Sequence, residues 1–174
     1  EEDAQVMKKD PGQANEGKIP AGGIKFSPEL VHVRLKAAAS CRRNFTELLK
    51  TFSDTSIPLP FLMQDVTDEG WFCSFCVDSA DWLSCRSYLN AVPSLNENLE
   101  IFSPAGIITI FPHRNSLQLL GRVLSVFKDE SAPLYGVCTS ISATAFCTDF
   151  HLLDAITDSI LQHLILPENH APFR

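Results

Sequence analysis

Two cysteines three residues apart, in Cys73-Ser74-Phe75-Cys76, have the spacing of a redox or zinc pair. The residues around them alternate as a strand does, and positions three apart on a strand point to opposite faces, so the two sulfurs are predicted to diverge and stay reduced. No second Cys pair or His pair at ligand spacing accompanies them. His32, His113, His151, His163 and His170 form no cluster along the chain, so solvated or capping roles are expected for them, and no metal site. There is no Gly-rich phosphate loop, no Gly-x-Ser-x-Gly elbow and no His-Glu-x-x-His. Asp78 and Asp149 each stand just before a helix, where a carboxylate accepts backbone N–H groups, so both are read as N-caps. No nucleophile lies beside a base or a paired acid, and neither catalysis nor a cofactor is expected.

The polar groups that remain are in turns. His113, Arg114, Asn115 and Ser116 precede a helical pattern, and a helix N-terminus with exposed N–H groups favours an anion or a carboxylate. An ordinary solvated loop with Ser116 as N-cap is the competing reading.

These turns are positioned by a repeat. Ile24-Lys25-Phe26-Ser27-Pro28 recurs as Glu100-Ile101-Phe102-Ser103-Pro104, with the shared Phe-Ser-Pro offset by 76 residues. Val31, Val33 and Leu35 alternate with His32, Arg34 and Lys36, the pattern of a half-buried strand, and Ile107, Thr109 and Phe111 occupy the offset positions. Phe45, Leu48, Leu49 and Phe52 make one face of a helix, answered at an offset of 75 by Leu120, Val123, Leu124 and Phe127. Pro58-Leu59 and Pro133-Leu134 then open a strand in each copy. A further strand closes with Phe75-Cys76-Val77-Asp78 and, 71 residues on, Phe146-Cys147-Thr148-Asp149. Trp82, Cys85 and Leu89 mark one closing helix, and Leu153, Ile156, Ile160 and Leu164 the other.

Each unit reads strand, helix, strand, strand, helix, completed by a strand of the Ile24 or Ile101 type. This is the ferredoxin-like βαββαβ order of an α+β protein, with helices on one face of an antiparallel sheet. Leu99 to Phe102 follows the closing helix of the first unit, whereas the second is followed only by Leu166 to Arg174, a poor ladder partner with its prolines. Ile24 to Phe26 is therefore predicted to cross over and complete the second unit, interlocking the two. The organisation expected is a flexible arm over 1–22, a first module over 23–104 and a second over 105–174.

The 174 residues are 45% hydrophobic and 20% charged, ordinary proportions for a folded chain, and the net charge of −7 provides no field for phosphate backbones or anionic lipid. Neither nucleic acid nor membrane is an expected partner. No apolar run reaches the length of a spanning helix, and residues 1 to 30 lack the pattern of a signal peptide. Six cysteines in strands and helices are expected as reduced thiols, in the cytoplasm.

Several segments resemble the paired ACT modules of the regulatory region of aspartokinases. Pro58-Leu59-Pro60-Phe61-Leu62-Met63-Gln64 is similar to the second strand of that family's first module, which ends in Gln, and Trp71 to Asp78 resembles the strand after it. Tyr135-Gly136-Val137-Cys138-Thr139-Ser140 resembles the Thr-Ser strand end of the second module, and Ile156 to Leu164 its last helix. The resemblance covers Gly23 to Leu166. It implies allosteric sensing of a free amino acid or similar small carboxylate, bound where the strand-to-helix turn of one module faces the second strand of its neighbour. Ala39, Ser40 and Cys41 with Ala38 would then supply backbone contacts, Gln64 a side chain, and Leu134 and Tyr135 the facing strand, with His113, Asn115 and Ser116 in the second turn. The turns carry no Gly, and Pro58 and Pro133 replace the Asn that often opens the second strands. The expected protein is non-catalytic, a homodimer, and a regulator of an amino-acid biosynthetic enzyme. A dimerisation or interaction module without a ligand is the alternative.

Overall fold

The structure is a computed structural model that describes residues 17–68, 70–96, 99–112 and 116–174. After a two-residue strand β1 (Ile19–Pro20) come β2 (Gly23–Phe26), β3 (Leu30–Ala37), α1 (Arg42–Asp54), β4 (Phe61–Thr67), β5 (Gly70–Asp78), α2 (Trp82–Asn90) and a single turn α3 (Pro93–Asn96). The chain continues with β6 (Leu99–Phe111), α4 (Leu117–Asp129), β7 (Gly136–Thr139), β8 (Thr144–Asp149), α5 (Leu153–Leu161) and β9 (Leu164–Ile165).

β6 joins everything. Its first residues pair with β3 (Ile101 opposite Val33), while its last pair with β8 (Ile108 opposite Phe146) and, on the other side, with β2 (Ile24 opposite Ile110). The strand order is β4-β5-β3-β6-β8-β7 with β2 beside β6. Each half thus has the ferredoxin-like order: β6-β3-β5-β4 in one, β2-β6-β8-β7 in the other. Ile24 to Phe26 pair with residues 108–110 of β6 and not with β3 or β5. Where the sequence reading separates Leu99–Phe102 from Ile107–Phe111 at Pro104, the chain forms one strand of 13 residues. Pro104 falls where the β3–β6 register shifts, and at a bulge the missing N–H costs no ladder bond.

The sheet does not lie flat. Strands three places apart are about 14 Å apart in a flat sheet, yet the sulfurs of Cys76 on β5 and Cys147 on β8 are 3.5 Å apart. The halves fold face to face, with α1 and α2 outside one and α4 and α5 outside the other. Three cores result. Val33, Phe45, Phe52, Trp71 and Phe75 form the outer core of the first half. Ile24, Ile108, Val123, Phe146 and Ile156 form that of the second. Leu30, Phe61, Cys76, Ala105, Ile107 and Cys147 lie between the sheets. Burial of the inner faces corrects the half-buried reading of β3: Val31, His32 and Val33 are all buried.

Other boundaries differ from expectation. The strands after Pro58 and Pro133 begin at Phe61 and Gly136. On α4 the buried stripe is Leu119, Val123, Val126 and Phe127, while Leu124 is exposed, a face rotated from the one carried over by the repeat offset. Leu164 lies in β9, past the end of α5. Within the 1–22 arm, residues 18–22 are held: β1 runs parallel to β9, and Ile19 and Ala21 are buried. Residues 1–16 lie outside the described residues. The tail, expected to leave the sheet alone, seats on the edge of β2, where the Phe26 N–H donates to the Phe173 carbonyl at 2.7 Å and the two rings lie 5.6 Å apart.

Candidate functional site

The first strand-to-helix turn leaves β3 at Ala37 and forms a short 3-10 turn, Ala39–Cys41, that leads into α1. Ala38, Ala39 and Ser40 are exposed, while Cys41 faces the core. Trp71 ties this turn to the edge strand β4. It pairs with Ala37 on one side and Val66 on the other, packs its ring 5.0 Å from Phe45 of α1, and donates from Nε1 to Gln64 Oε1 at 3.3 Å. Gln64 is exposed and shares the helix-side face of β5 with Trp71, since it stands opposite Cys73. Ala39, Ser40, Cys41 and Gln64 are therefore gathered at one end of the first half, around one buried indole.

In the second half Ser116 caps α4, its Oγ accepting from the Leu119 N–H at 3.1 Å, as its N-cap reading requires. His113 and Asn115 lie outside the described residues. Pro112, where this turn starts, borders a cavity of about 230 Å³ walled by Pro20, Ala21, Gly22, Ile165, Leu166 and Pro167. Among the described residues its lining holds no charged side chain.

Leu134 and Tyr135 do not form a strand facing the first turn. Leu134 packs into the second half's outer core, ahead of β7. Tyr135 is turned into the interface between the sheets. Its ring stacks on His32 with centroids 5.6 Å apart and lies 4.6 Å from Phe102. Its N–H donates to the Cys147 carbonyl at 2.8 Å, and its own carbonyl accepts from Arg34 Nη2 at 3.1 Å. Burial, and then the negative charge of Asp149, push its phenol pKa up. Arg34 also pairs with Glu100 at 3.1 Å and lies over the Phe102 ring, so it bridges the halves.

The Asp pair behaves unequally. Asp149 accepts from the His151 N–H and caps a 3-10 turn, whereas Asp78 accepts from the Ala80 N–H within a turn and α2 starts only at Trp82.

Strand pairing assembles what the linear spacing conceals. Cys73 and Cys76 do diverge: Cys73 lies in the first outer core and Cys76 between the sheets, and both are free thiols. Burial pushes the Cys73 thiol up to about 12. Cys76, however, meets Cys147 of the other repeat, and His32 stands opposite Cys76 on β3. A ring nitrogen of His32 and both sulfurs all lie within 4.8 Å of one another, fully buried. The reading of the histidines as unclustered and solvated is thus wrong for His32. The signal was present in the repeat, because Cys76 and Cys147 are equivalent positions and equivalent positions meet where two copies close on each other.

The fold is that of the regulatory regions of aspartate kinases. The ligand-free regulatory subunit of aspartate kinase from Thermus thermophilus matches with a TM-score of 0.72 at 10% identity, over 83% of this chain and 99% of that one. The regulatory subunit from Thermus flavus gives 0.70 at 10% identity, over 82% and 97%. Aspartokinase III of E. coli in complex with lysine and aspartate gives 0.63 at 13% identity, over 83% of this chain and 33% of that one. No family model matches the chain, and no curated protein does. At these identities the likeness is one of fold. Among the described residues no helix is long and apolar enough to cross a membrane.

Proposed function

We propose that this chain is a non-catalytic regulatory protein built of two interlocked ACT modules, over 23–104 and 105–174, and that it binds a free amino acid or similar small carboxylate. The observation that carries this reading is the extent of the likeness: it takes in nearly the whole of an isolated regulatory subunit of aspartate kinase. The exposed turn Ala38 to Ser40 beside Gln64 supports the first module as the binding end. Its backbone N–H groups suit a carboxylate, and the Gln64 amide group suits the same ligand's polar atoms. In the second module the capped start of α4 and the neighbouring cavity occupy the corresponding place. The role of Leu134 and Tyr135 is to hold the modules together, and a second copy supplies the facing strand. The open edge strand β4, with exposed Leu62 and Val66, is the dimerising edge, and the regulated partner is an amino-acid biosynthetic enzyme.

Calorimetry of the full chain with each of the twenty amino acids tests the reading. Binding of at least one, weakened in Gln64→Ala, supports it. A chain that binds none and still dimerises through β4 favours the interaction-module alternative.

A further inference from the structure

Three potential metal ligands converge between the sheets. His32 bonds through Nε2 to Ser74 Oγ at 2.5 Å, while its Nδ1, fully buried, has no hydrogen-bond partner among the described residues. A buried imidazole nitrogen left unpaired is costly and calls for a ligand. The sulfurs of Cys76 and Cys147, 3.5 Å apart, share the same space with that ring. We propose that His32, Cys76 and Cys147 form a binding site for a thiophilic divalent metal ion, of which Zn²⁺ is the type.

The geometry and chemistry agree with this assignment. Two sulfurs on a tetrahedral zinc at about 2.3 Å each stand about 3.8 Å apart, within a few tenths of an ångström of the separation found. A disulfide requires the same atoms to close to about 2.05 Å, a far larger movement of two sheets. In the tautomer whose Nε2–H donates to the Ser74 hydroxyl, Nδ1 presents its lone pair to an ion. Each bound ion displaces one proton from each thiol, and the two thiolates then balance its two positive charges, so the dry interface gains no net charge. Three protein donors leave one tetrahedral position for a small ligand such as water. Because all three side chains are buried, the ion is taken up as the two halves close. The site stands independently of amino-acid binding.

The test is to unfold the full chain under reducing conditions and refold it with Co²⁺, whose thiolate charge-transfer absorption reports sulfur ligation. One cobalt per chain with that absorption is expected, displaced by Zn²⁺. The band should vanish in Cys76→Ser and in Cys147→Ala and persist in Cys73→Ala and Cys138→Ala, and Co²⁺ binding should weaken by more than about a hundredfold in His32→Gln, a larger loss than removal of an outer-shell partner brings. If Cys147→Ala does not refold, Cys76→Ser and His32→Gln, checked by far-ultraviolet dichroism, decide alone. A refolded native chain with no charge-transfer band, or a band that survives loss of Cys76, overturns the proposal. So does a purified, metal-free chain lighter by two hydrogens with Cys76 and Cys147 bonded to each other, which assigns the pair to thiol–disulfide exchange instead.

Discussion

Gln64 shows how a residue singled out by resemblance acquires a second role from its surroundings. Its Oε1 accepts the indole N–H of Trp71, a side chain only 1% exposed, so the amide serves the fold as well as any ligand. Gln64→Ala is therefore expected to lower stability by about 1 kcal/mol, the net worth of one hydrogen bond, read as a shift in the urea midpoint. Gln64→Glu keeps an oxygen acceptor and recovers most of it. An unshifted midpoint in the alanine variant means water replaces the amide without cost. At this scale the sequence was legible where one strand's alternation decides, as for Cys73 against Cys76. For Cys76 against Cys147 no local period helps, because side chains 71 residues apart meet only through the folding over of the sheet, and the one signal is that the repeat makes the two positions equivalent.

At the scale of elements, α1 and β5 follow directly from apolar periodicity, but α4 does not. Leu119, Leu120, Val123, Leu124, Val126 and Phe127 offer two overlapping stripes, and only packing against β6 and β8 selects the one that includes Leu119. The crossed strand β2 was legible because its twin could be compared with it, whereas the seating of residues 18–22 was not, since two short residues of parallel pairing leave no pattern. β2 contributes Ile24, fully buried against the second half's core, so Ile24→Ala should cost about 2 to 5 kcal/mol in chemical denaturation although it lies near the start of the described chain. In the β4–β5 hairpin Gly70 has φ +142°, and an added Cβ would stand 2.6 Å from the Ala37 carbonyl oxygen. Gly70→Ala is expected to cost about 1 to 3 kcal/mol by the same measurement. A loss below a few tenths would mean that the hairpin shifts without strain.

For the whole molecule, the decisive feature is that equivalent positions of the repeat touch each other: Cys76 meets Cys147, and a Cβ on Gly136, the counterpart of Phe61, would lie 2.9 Å from the Phe61 ring. This is the contact pattern of a two-fold dimer written into one chain, with β6 running through both halves and β2 reaching back into the second. Neither half has its full complement of buried surface without the other, and so one cooperative transition is expected rather than two. The tryptophans make this testable, since Trp71 and Trp82 both belong to the first half. Ile160, 1% exposed in the core of α5, belongs to the second, and Ile160→Ala should remove about 2 to 5 kcal/mol there. If the halves unfold together, tryptophan fluorescence, which sees only the first half, shifts its urea midpoint by the same amount as the far-ultraviolet dichroism of the whole chain. If the fluorescence midpoint stays at the wild-type value while the dichroism splits into two transitions, the halves are energetically separate and the shared strand carries no coupling.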